Sequence, residues 1–299
     1  MEIIKTPLNV KRIERVDDIP LLLAQMEKME VAPLLDHYFP THGNWQGLSL
    51  GQVAVVWLAY ILSEGDHRLN SVQGWAAGLL MTLTVCLGAL GLRALDFSDD
   101  RLCLVLDCLG RDDAAWEAYE CEQNATLLRV YDVKARRGRI DSPTAKSYVA
   151  VTEDGLFQVG HSKEPRPDLP QLKLNQAVLD PLGLPLSTTV VSGERADDPI
   201  YVPEIRKGQA SLGPHGVLDG GDGKMASLDT RAYLAASHDH YLCPLSAVQM
   251  PAAALQALAW GPRSASDWTP QTSRPRSHRS RSMTFMRQTI RPLQGFCRC

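Results

Sequence analysis

Hydrophobic residues recur with a helical period over the first part of the chain. The segment DDIPLLLAQMEKM begins with Asp17 or Asp18 as a cap and has Pro20 near its first turn, where a missing N–H costs nothing. The segment SLGQVAVVWLAYILSEG begins at Ser49 and is apolar nearly all round, so we expect a buried helix. Two later helices are expected to start at Ser98 and at Asp112 or Asp113. Residues 1–128 are therefore predicted to form a helical N-terminal domain.

After Tyr131 the pattern changes to a period of two with many β-branched residues, which is typical of strands. Five strands are predicted in succession, and the turn DPLG joins the last two as a hairpin. A helix, a buried run, a second helix and a last strand follow. The predicted strands are 137–141, 146–151, 156–160, 172–180, 186–193 and 240–247, the buried run is 215–222, and the helices begin at Asp197 or Asp198 and at Leu228. Residues 129–258 are therefore predicted to form a mixed α/β domain.

The composition changes again near Trp260. Residues 259–299 are rich in Arg, Pro and Ser and lack periodic apolar positions, so we expect a disordered tail. From Arg263 onward, eight arginines and one acid, Asp267, give a net charge of +7. The whole chain has a net charge of −3, so residues 1–262 have a net charge of −10. A body this acidic does not look like an electrostatic clamp for DNA. One interpretation is that the tail binds phosphates through its arginines. The other is that it is a charged tail without a role, which is expected where a coding frame has slipped.

The bulk composition is that of an ordinary globular protein, with 44% hydrophobic and 22% charged residues in a chain of 299. No charge falls between Arg68 and Arg93, but polar residues and four glycines interrupt this window. Buried helices are therefore expected there rather than a membrane span. Seven cysteines without paired spacing and a charged N-terminal start favour reduced thiols and a cytoplasmic protein.

Two aspartates at predicted strand ends are the first candidates for chemistry. Asp141 ends the strand RGRID, where a carboxylate can project into a cleft and hold a divalent cation. The alternative is an ordinary turn aspartate ahead of Pro143. Asp222 ends the run HGVLDGGD in a glycine-rich turn before Lys224, at a strand end where ligands of open sheets collect. The alternatives there are a turn with a helix cap, or Asp219 in the same role.

Together, the two aspartates suggest a reaction. Metal-binding carboxylates at the ends of different strands, with a third acid, form the two-metal site that activates water or a 3′-hydroxyl for attack on a phosphodiester. Glu194 could supply the third acid of a metal-dependent nuclease or phosphatase, although capping of the next helix explains it as well. The pairs His238 with His240 and Cys297 with Cys299 lack the further ligands of a zinc site.

The helical domain is followed in order by RIDSPTAKSY, by GHSKEPRPDLPQLKLNQAVLDPLGLPLSTTVVSGERADDP and by GVLDGGDGKMAS. In this order the motifs resemble transposases of the IS-four superfamily, over roughly residues 10–255. The resemblance implies a DDE-type, ribonuclease H-like catalytic domain behind the helical one. It also implies that Asp141 and Asp222 are the first two catalytic carboxylates and that they bind Mg²⁺.

The sequence departs from the family pattern at the third carboxylate. The family has a glutamate on a later helix, within a Tyr, Arg, Glu, Lys signature, but Glu204 is the last glutamate of this chain and precedes Asp222. Asp267 lies in the tail without a helical pattern around it. Pro143 also stands where the family usually has a threonine, and proline removes a donor beside the first carboxylate. We therefore expect an incomplete, C-terminally truncated or frameshifted core that does not cleave DNA.

The resemblance implies an insertion-sequence DNA transposase whose reaction is metal-dependent DNA strand cleavage and transfer. Its partner would be double-stranded DNA with terminal inverted repeats, and the helical domain would bind DNA ends or a protein partner. The alternative is a non-catalytic remnant that binds DNA or full-length transposase subunits, or forms a homo-oligomer. Either protein would be cytoplasmic and nucleoid-associated, with no membrane partner.

Overall fold

The computed structural model describes residues 13–160, 166–196, 198–213 and 216–260. The chain divides into two compact units, Met1–Lys134 and Ala135–Cys299. The first is helical and the second is built around a six-stranded mixed sheet, which confirms the predicted combination of an α domain and an α/β domain. After Trp260, the predicted tail lies outside the described residues.

Seven α-helices and a short 3-10 helix form the described part of the first unit. They are α1 Ile19–Lys28, α2 Val31–Tyr38, α3 Leu50–Glu64, α4 Leu69–Ala77, α5 Leu80–Leu87, the 3-10 helix Ala94–Phe97, α6 Asp99–Leu109 and α7 Asp113–Val130. Their apolar side chains share one core, to which α3 contributes the fully buried Val53, Val56 and Ala59. The nearly uniform apolar pattern of α3 thus reflects burial on most of its sides.

Gly51 allows α2 and α3 to approach closely. A Cβ at this position would lie 2.1 Å from the backbone oxygen of Ala32, which no side chain can tolerate. The Gly51 N–H donates a hydrogen bond of 2.7 Å to the Asp36 carboxylate, which satisfies one of the free donors in the first turn of α3. The glycine is therefore required by packing.

Among the predicted helix caps whose side chains the structure describes, three are confirmed and one is wrong. Each confirmed cap accepts a hydrogen bond from the first turn of the helix that it precedes, and these residues are Ser49, Ser98 and Asp112. Asp18 precedes α1, but its side chain makes no capping bond. The reason is that its Oδ1 accepts a hydrogen bond of 2.5 Å from the Ser63 hydroxyl of α3. Asp18 therefore ties α1 to α3.

The uncharged stretch between Arg68 and Arg93 forms two short helices, α4 and α5, with Gly78 at the break. Val72 and Leu83 from these helices are fully buried in the core of the unit, as expected for helices of a folded domain. In the described part of the chain, no helix combines the length and the hydropathy that crossing a bilayer requires.

Six strands and three helices form the described part of the second unit. They are β1 Arg137–Asp141, β2 Thr144–Lys146, β3 Gln171–Leu179, β4 Leu184–Ser192, α8 Asp198–Leu212, β5 Leu218–Gly221, α9 Leu228–Ala236, β6 His240–Leu242 and α10 Ala252–Trp260. The predicted hairpin at DPLG is present, because β3 and β4 pair antiparallel on either side of it. The helices predicted to begin at Asp197 or Asp198 and at Leu228 are also confirmed, and Asp197 itself lies outside the described residues.

β1 lies at the centre of the mixed sheet. It pairs antiparallel with β3 on one edge and parallel with β5 on the other. β4 lies outside β3, and β6 lies outside β5 in parallel with it. The order β4-β3-β1-β5-β6 thus joins an antiparallel meander to two parallel additions, which are reached through α8 and α9. This is the ribonuclease H-like topology that the resemblance implies.

β1 and β2 are two parts of one strand that is interrupted just after Asp141. Both parts face β3 in one continuous register, with the pairs Asp141–Gln176 and Thr144–Lys173 on either side of the interruption. Pro143 has no N–H to donate, but its carbonyl oxygen accepts a hydrogen bond of 2.9 Å from the Leu174 N–H. The proline therefore removes one donor without shifting the strand.

Three predicted strands are wrong in length or in kind. The strand predicted at 146–151 ends at Lys146, because Ser147 next meets Pro170, which accepts its hydrogen bond but has no N–H to return. The strand predicted at 156–160 is reduced to one bridge between Gln158 and Gln171. The strand predicted at 240–247 ends at Leu242, because its partner β5 is only four residues long.

α8 packs on one face of the sheet through partly polar contacts. Asn175 Nδ2 donates a hydrogen bond of 2.9 Å to the backbone oxygen of Ile200. Alternate residues of β3 on this face are Gln171, Lys173 and Asn175, which are at most 5% exposed. In the pattern QLKLN, the polar positions are therefore buried, and the leucines are half-buried on the other face.

Candidate functional site

Asp141 lies at the carboxyl end of β1, on the exposed face of that strand. Exposed and buried residues alternate along β1, so Asp141 shares its face with Arg137 and Arg139. The residues between them, Gly138 and Ile140, line a small cavity against α8 on the opposite face. Asp141 Oδ1 accepts a hydrogen bond of 2.8 Å from the next backbone N–H. The carboxylate is therefore oriented locally and accessible from solvent.

Asp222 lies at the carboxyl end of the neighbouring strand. β5 pairs with β1 in parallel, and the last pair of this ladder is Ile140 with Gly221. One step further in the same register, Asp141 is opposite Asp222, and adjacent strands are about 4.8 Å apart. The strand pairing thus brings the two aspartates together where both strands end. Their role as catalytic and metal-binding residues stays a prediction.

Two hydrogen bonds fix the Asp222 side chain. Its Oδ1 accepts one of 2.8 Å from the Tyr201 hydroxyl and one of 2.9 Å from the Lys224 N–H. Tyr201 belongs to α8 and is 1% exposed, so packing holds this donor in place. Tyr201 is not predicted from the sequence, because nothing in PIYVPEIRKG distinguishes a tyrosine that donates to a carboxylate from one that only fills the core.

Asp219, the alternative to Asp222, faces the interior beneath α8. It is 8% exposed and lines the same cavity as Gly138 and Ile140. Burial, with a smaller contribution from the nearby Asp239, raises the pKa of Asp219 to about 7. A Cβ on Gly138 would lie 2.5 Å from Asp219 Oδ1, so the glycine makes room for this carboxyl group. Asp219 is therefore a buried group and lies apart from the exposed face that carries Asp141.

Glu204 also lies on the α8 side of the sheet. It is 1% exposed, and its Oε2 accepts a hydrogen bond of 3.3 Å from Asn175 Nδ2. Burial raises the pKa of this carboxyl group, so the group resists ionisation. The last glutamate of the sequence is therefore part of the packing beneath α8.

Glu194 is separated from the aspartate pair along the sheet. On β4, Thr188 is level with Asp141, because both residues face Gln176 of β3. β4 continues for four more residues to Ser192, or about 13 Å at 3.3 Å per residue. Glu194 follows beyond that end. A metal site shared by Glu194 and Asp141 is therefore not supported by the geometry.

The chemistry of the two aspartates suits Mg²⁺. This ion is usually held by one or two carboxylates and completes its shell with waters and substrate phosphates. Asp141 and Asp222 are two carboxylates of the kind that such an ion takes. A two-metal site needs a further acid, and the residues that the structure describes contain no group of three His, Cys, Asp or Glu side chains placed to hold a metal ion.

No protein-family model matches this chain, and no characterised protein matches it in sequence. Among solved structures, it is similar to a Mos1 transposase paired-end complex with left transposon end, at 10% identity and a TM-score of 0.26, over 77% of this chain and 78% of that one. It is also similar to a piggyBac transposase synaptic complex with hairpin DNA, at 9% identity and a TM-score of 0.36, over 82% of this chain and 53% of that one.

Proposed function

We propose that this chain is, by descent, a DNA transposase of the insertion-sequence, DDE type. The observation that carries the proposal is the register of β1 and β5, in which Asp141 and Asp222 end adjacent parallel strands. Independent support comes from the motifs RIDSPTAKSY and GVLDGGDGKMAS, which resemble the surroundings of the first two carboxylates in that family. A resemblance in sequence and a proximity in the fold thus select the same two residues.

In this proposal, Asp141 and Asp222 are the residues that hold Mg²⁺. When bound, the ion would polarise a phosphodiester and lower the pKa of its water ligands. Tyr201 keeps the Asp222 carboxylate in one orientation through its hydroxyl. Asp141 is exposed at the strand end, where a DNA phosphate can reach it.

We also propose that the chain of 299 residues does not cleave DNA by itself. Two-metal catalysis requires a carboxylate beyond the shared pair. No glutamate follows Glu204 in this sequence, and Glu204 is buried beneath α8. The lack of a third carboxylate also favours a second candidate function. In this alternative, the chain is a non-catalytic protein that binds double-stranded DNA, including terminal inverted repeats, or binds other transposase subunits. Either would act at the nucleoid in the cytoplasm.

Nicking of supercoiled plasmid DNA separates the two candidates. The full chain and its Asp141→Ala variant are incubated with the plasmid over a range of Mg²⁺ and Mn²⁺ concentrations, with Asp154→Asn as a control at an exposed turn. We expect no nicked product from any of the three proteins. Nicking by the unmodified chain and by Asp154→Asn, but not by Asp141→Ala, would contradict the loss of activity and identify an active transposase.

A further inference from the structure

We infer that Arg137 and Arg139 bind successive phosphates of double-stranded DNA and guide the DNA backbone along β1 to Asp141. We call these two residues the arginine track. The inference deepens the proposed function and rests on it, because the DNA would be the substrate of the same site. Three features carry it: the face on which the arginines lie, the space beside them, and the distribution of charge in the chain.

The arginine track lies on the same strand face as Asp141. The two arginines and the aspartate are exposed and alternate with buried residues, so they form one row. Neighbouring members of the row are about 6.6 Å apart along the strand, at 3.3 Å per residue. The two arginines and the candidate metal-binding carboxylate of Asp141 therefore lie in a straight line along β1.

One position beside this row has no side chain. The neighbour of Arg139 on β5 is Gly220, and a Cβ built there would meet Arg139 Cγ and the Leu242 carbonyl oxygen at 3.9 Å, so it lies on the arginine side of the sheet. Since Gly220 has no side chain, the sheet is bare at this point. A phosphodiester backbone could approach the β5 main chain closely there, which is a common role of glycine at ligand sites.

Arg139 is partly fixed by an ion pair. Its Nε lies 2.9 Å from Asp180 Oδ1, and the arginine side chain is still 60% exposed. A guanidinium group carries five N–H donors, so this contact leaves donors for a phosphate. Asp180 follows β3 and therefore holds the stem of Arg139 over the open face of the sheet. The ion pair thus orients the Arg139 side chain, which remains exposed to solvent.

The charge distribution distinguishes this row from the helical unit that precedes it. Residues 1–134 contain 11 basic and 19 acidic residues, a net charge of −8. Between residues 134 and 139, by contrast, four of six positions are basic and none is acidic: Lys134, Arg136, Arg137 and Arg139. Non-specific affinity for DNA comes from such cations through the release of counterions. The start of β1 therefore carries the densest positive charge ahead of the tail, and we expect it to attract a phosphate backbone.

The test is the salt dependence of DNA binding by the full chain. Fluorescence anisotropy of a labelled duplex is measured in EDTA over a series of KCl concentrations for the unmodified chain, for Arg137→Ala/Arg139→Ala, and for Arg195→Ala as a control at an exposed site after β4. Each lost phosphate contact lowers the slope of log affinity against log salt by about one. The double variant should therefore lose about two from the slope, and Arg195→Ala should lose none. The arginine-rich tail is the same in every protein and cancels from the comparison.

Two further variants complete the test. Arg137→Lys/Arg139→Lys keeps both charges and should retain the slope, and Arg137→Ala alone leaves the ion pair of Arg139 with Asp180 intact and should lose about one. A slope for the double alanine variant equal to that of Arg195→Ala would overturn the inference, as would failure of the unmodified chain to bind the duplex. Because EDTA removes divalent ions, this result is independent of whether Asp141 and Asp222 bind a metal.

Discussion

Replacement of Asp219 by asparagine is expected to stabilise the second unit at neutral pH and to leave its stability unchanged in acid. Burial raises the pKa of Asp219 to about 7, and Asp239 adds to the effect. The folded state therefore holds a proton on this carboxyl group that the unfolded chain, with a pKa near 4, releases. Asparagine has a similar shape and carries no charge, so the variant avoids the cost of ionising a buried group.

The sign and size follow from proton linkage. A carboxyl group whose pKa is raised on folding contributes stability that is fully present below the pKa of the unfolded chain and is lost as the pH rises through the folded pKa. The shift of about three units corresponds to about 4 kcal/mol at 1.36 kcal/mol per unit. The unfolding free energy of the unmodified chain should therefore fall between pH 4 and 7 and level off above that range, relative to the Asp219→Asn variant.

Urea denaturation followed by circular dichroism at several pH values measures this difference. Tryptophan fluorescence provides an internal control, because four of the six tryptophans lie in the helical unit, at positions 45, 57, 75 and 116. The fluorescence transition should not respond to the substitution, and Asp154→Asn, at an exposed turn, should match the unmodified chain throughout. An advantage of Asp219→Asn that is the same at pH 5 and pH 8 would refute the reasoning.

Two further predictions concern packing and the site. Gly51→Ala should destabilise the helical unit by about 2 kcal/mol or more, because the new Cβ would meet the Ala32 carbonyl oxygen at 2.1 Å. Gly74→Ala is the matched control, a helical glycine with nothing within 4 Å of a new Cβ, and should stabilise by about 0.5–1 kcal/mol in the same fluorescence-detected urea titration. Tyr201→Phe removes the hydroxyl that donates to Asp222 and should cost about 2 kcal/mol in circular dichroism melts. Tyr148→Phe, at an 83% exposed tyrosine, should be close to neutral, and equal effects of the two would count against the hydrogen bond.

Local signals in the sequence predicted much of the fold. Ser49, Ser98 and Asp112 stand directly before apolar helical patterns, and each caps a helix. The turn DPLG joins two alternating segments, and β3 and β4 form the hairpin. These features depend on a few consecutive residues, so the sequence contains the information needed to recognise them.

The errors arose where a distant partner decides the outcome. Asp18 has the position of a cap, but Ser63 of α3 takes its carboxylate. The strand predicted at 146–151 is cut short by Pro170, which precedes β3. On β3, the polar residues Gln171, Lys173 and Asn175 are buried, and α8 accepts the hydrogen bonds of Asn175 through the Ile200 carbonyl oxygen and the Glu204 carboxylate. Such outcomes depend on residues that are far apart in sequence.

The candidate site divides in the same way. Asp141 and Asp222 could be selected from their places at strand ends, although Asp219 could not be separated from Asp222 by sequence alone. Burial supplies that distinction, because Asp219 is 8% exposed beneath α8, whereas Asp222 is half-buried and follows the last residue of β5. Tyr201 and the arginine track became visible only when α8 and the face of β1 were known.

Mn²⁺ binding by the full chain tests most directly whether Asp141 and Asp222 hold a cation, and it is measured by electron paramagnetic resonance of the free ion in the absence of DNA. If Asp141 and Asp222 form one cation site, the unmodified chain and Asp154→Asn should bind one Mn²⁺ at this site. Asp141→Asn and Asp222→Asn should each weaken it by at least about tenfold. Binding that neither substitution changes, or no binding at all, would contradict the claim.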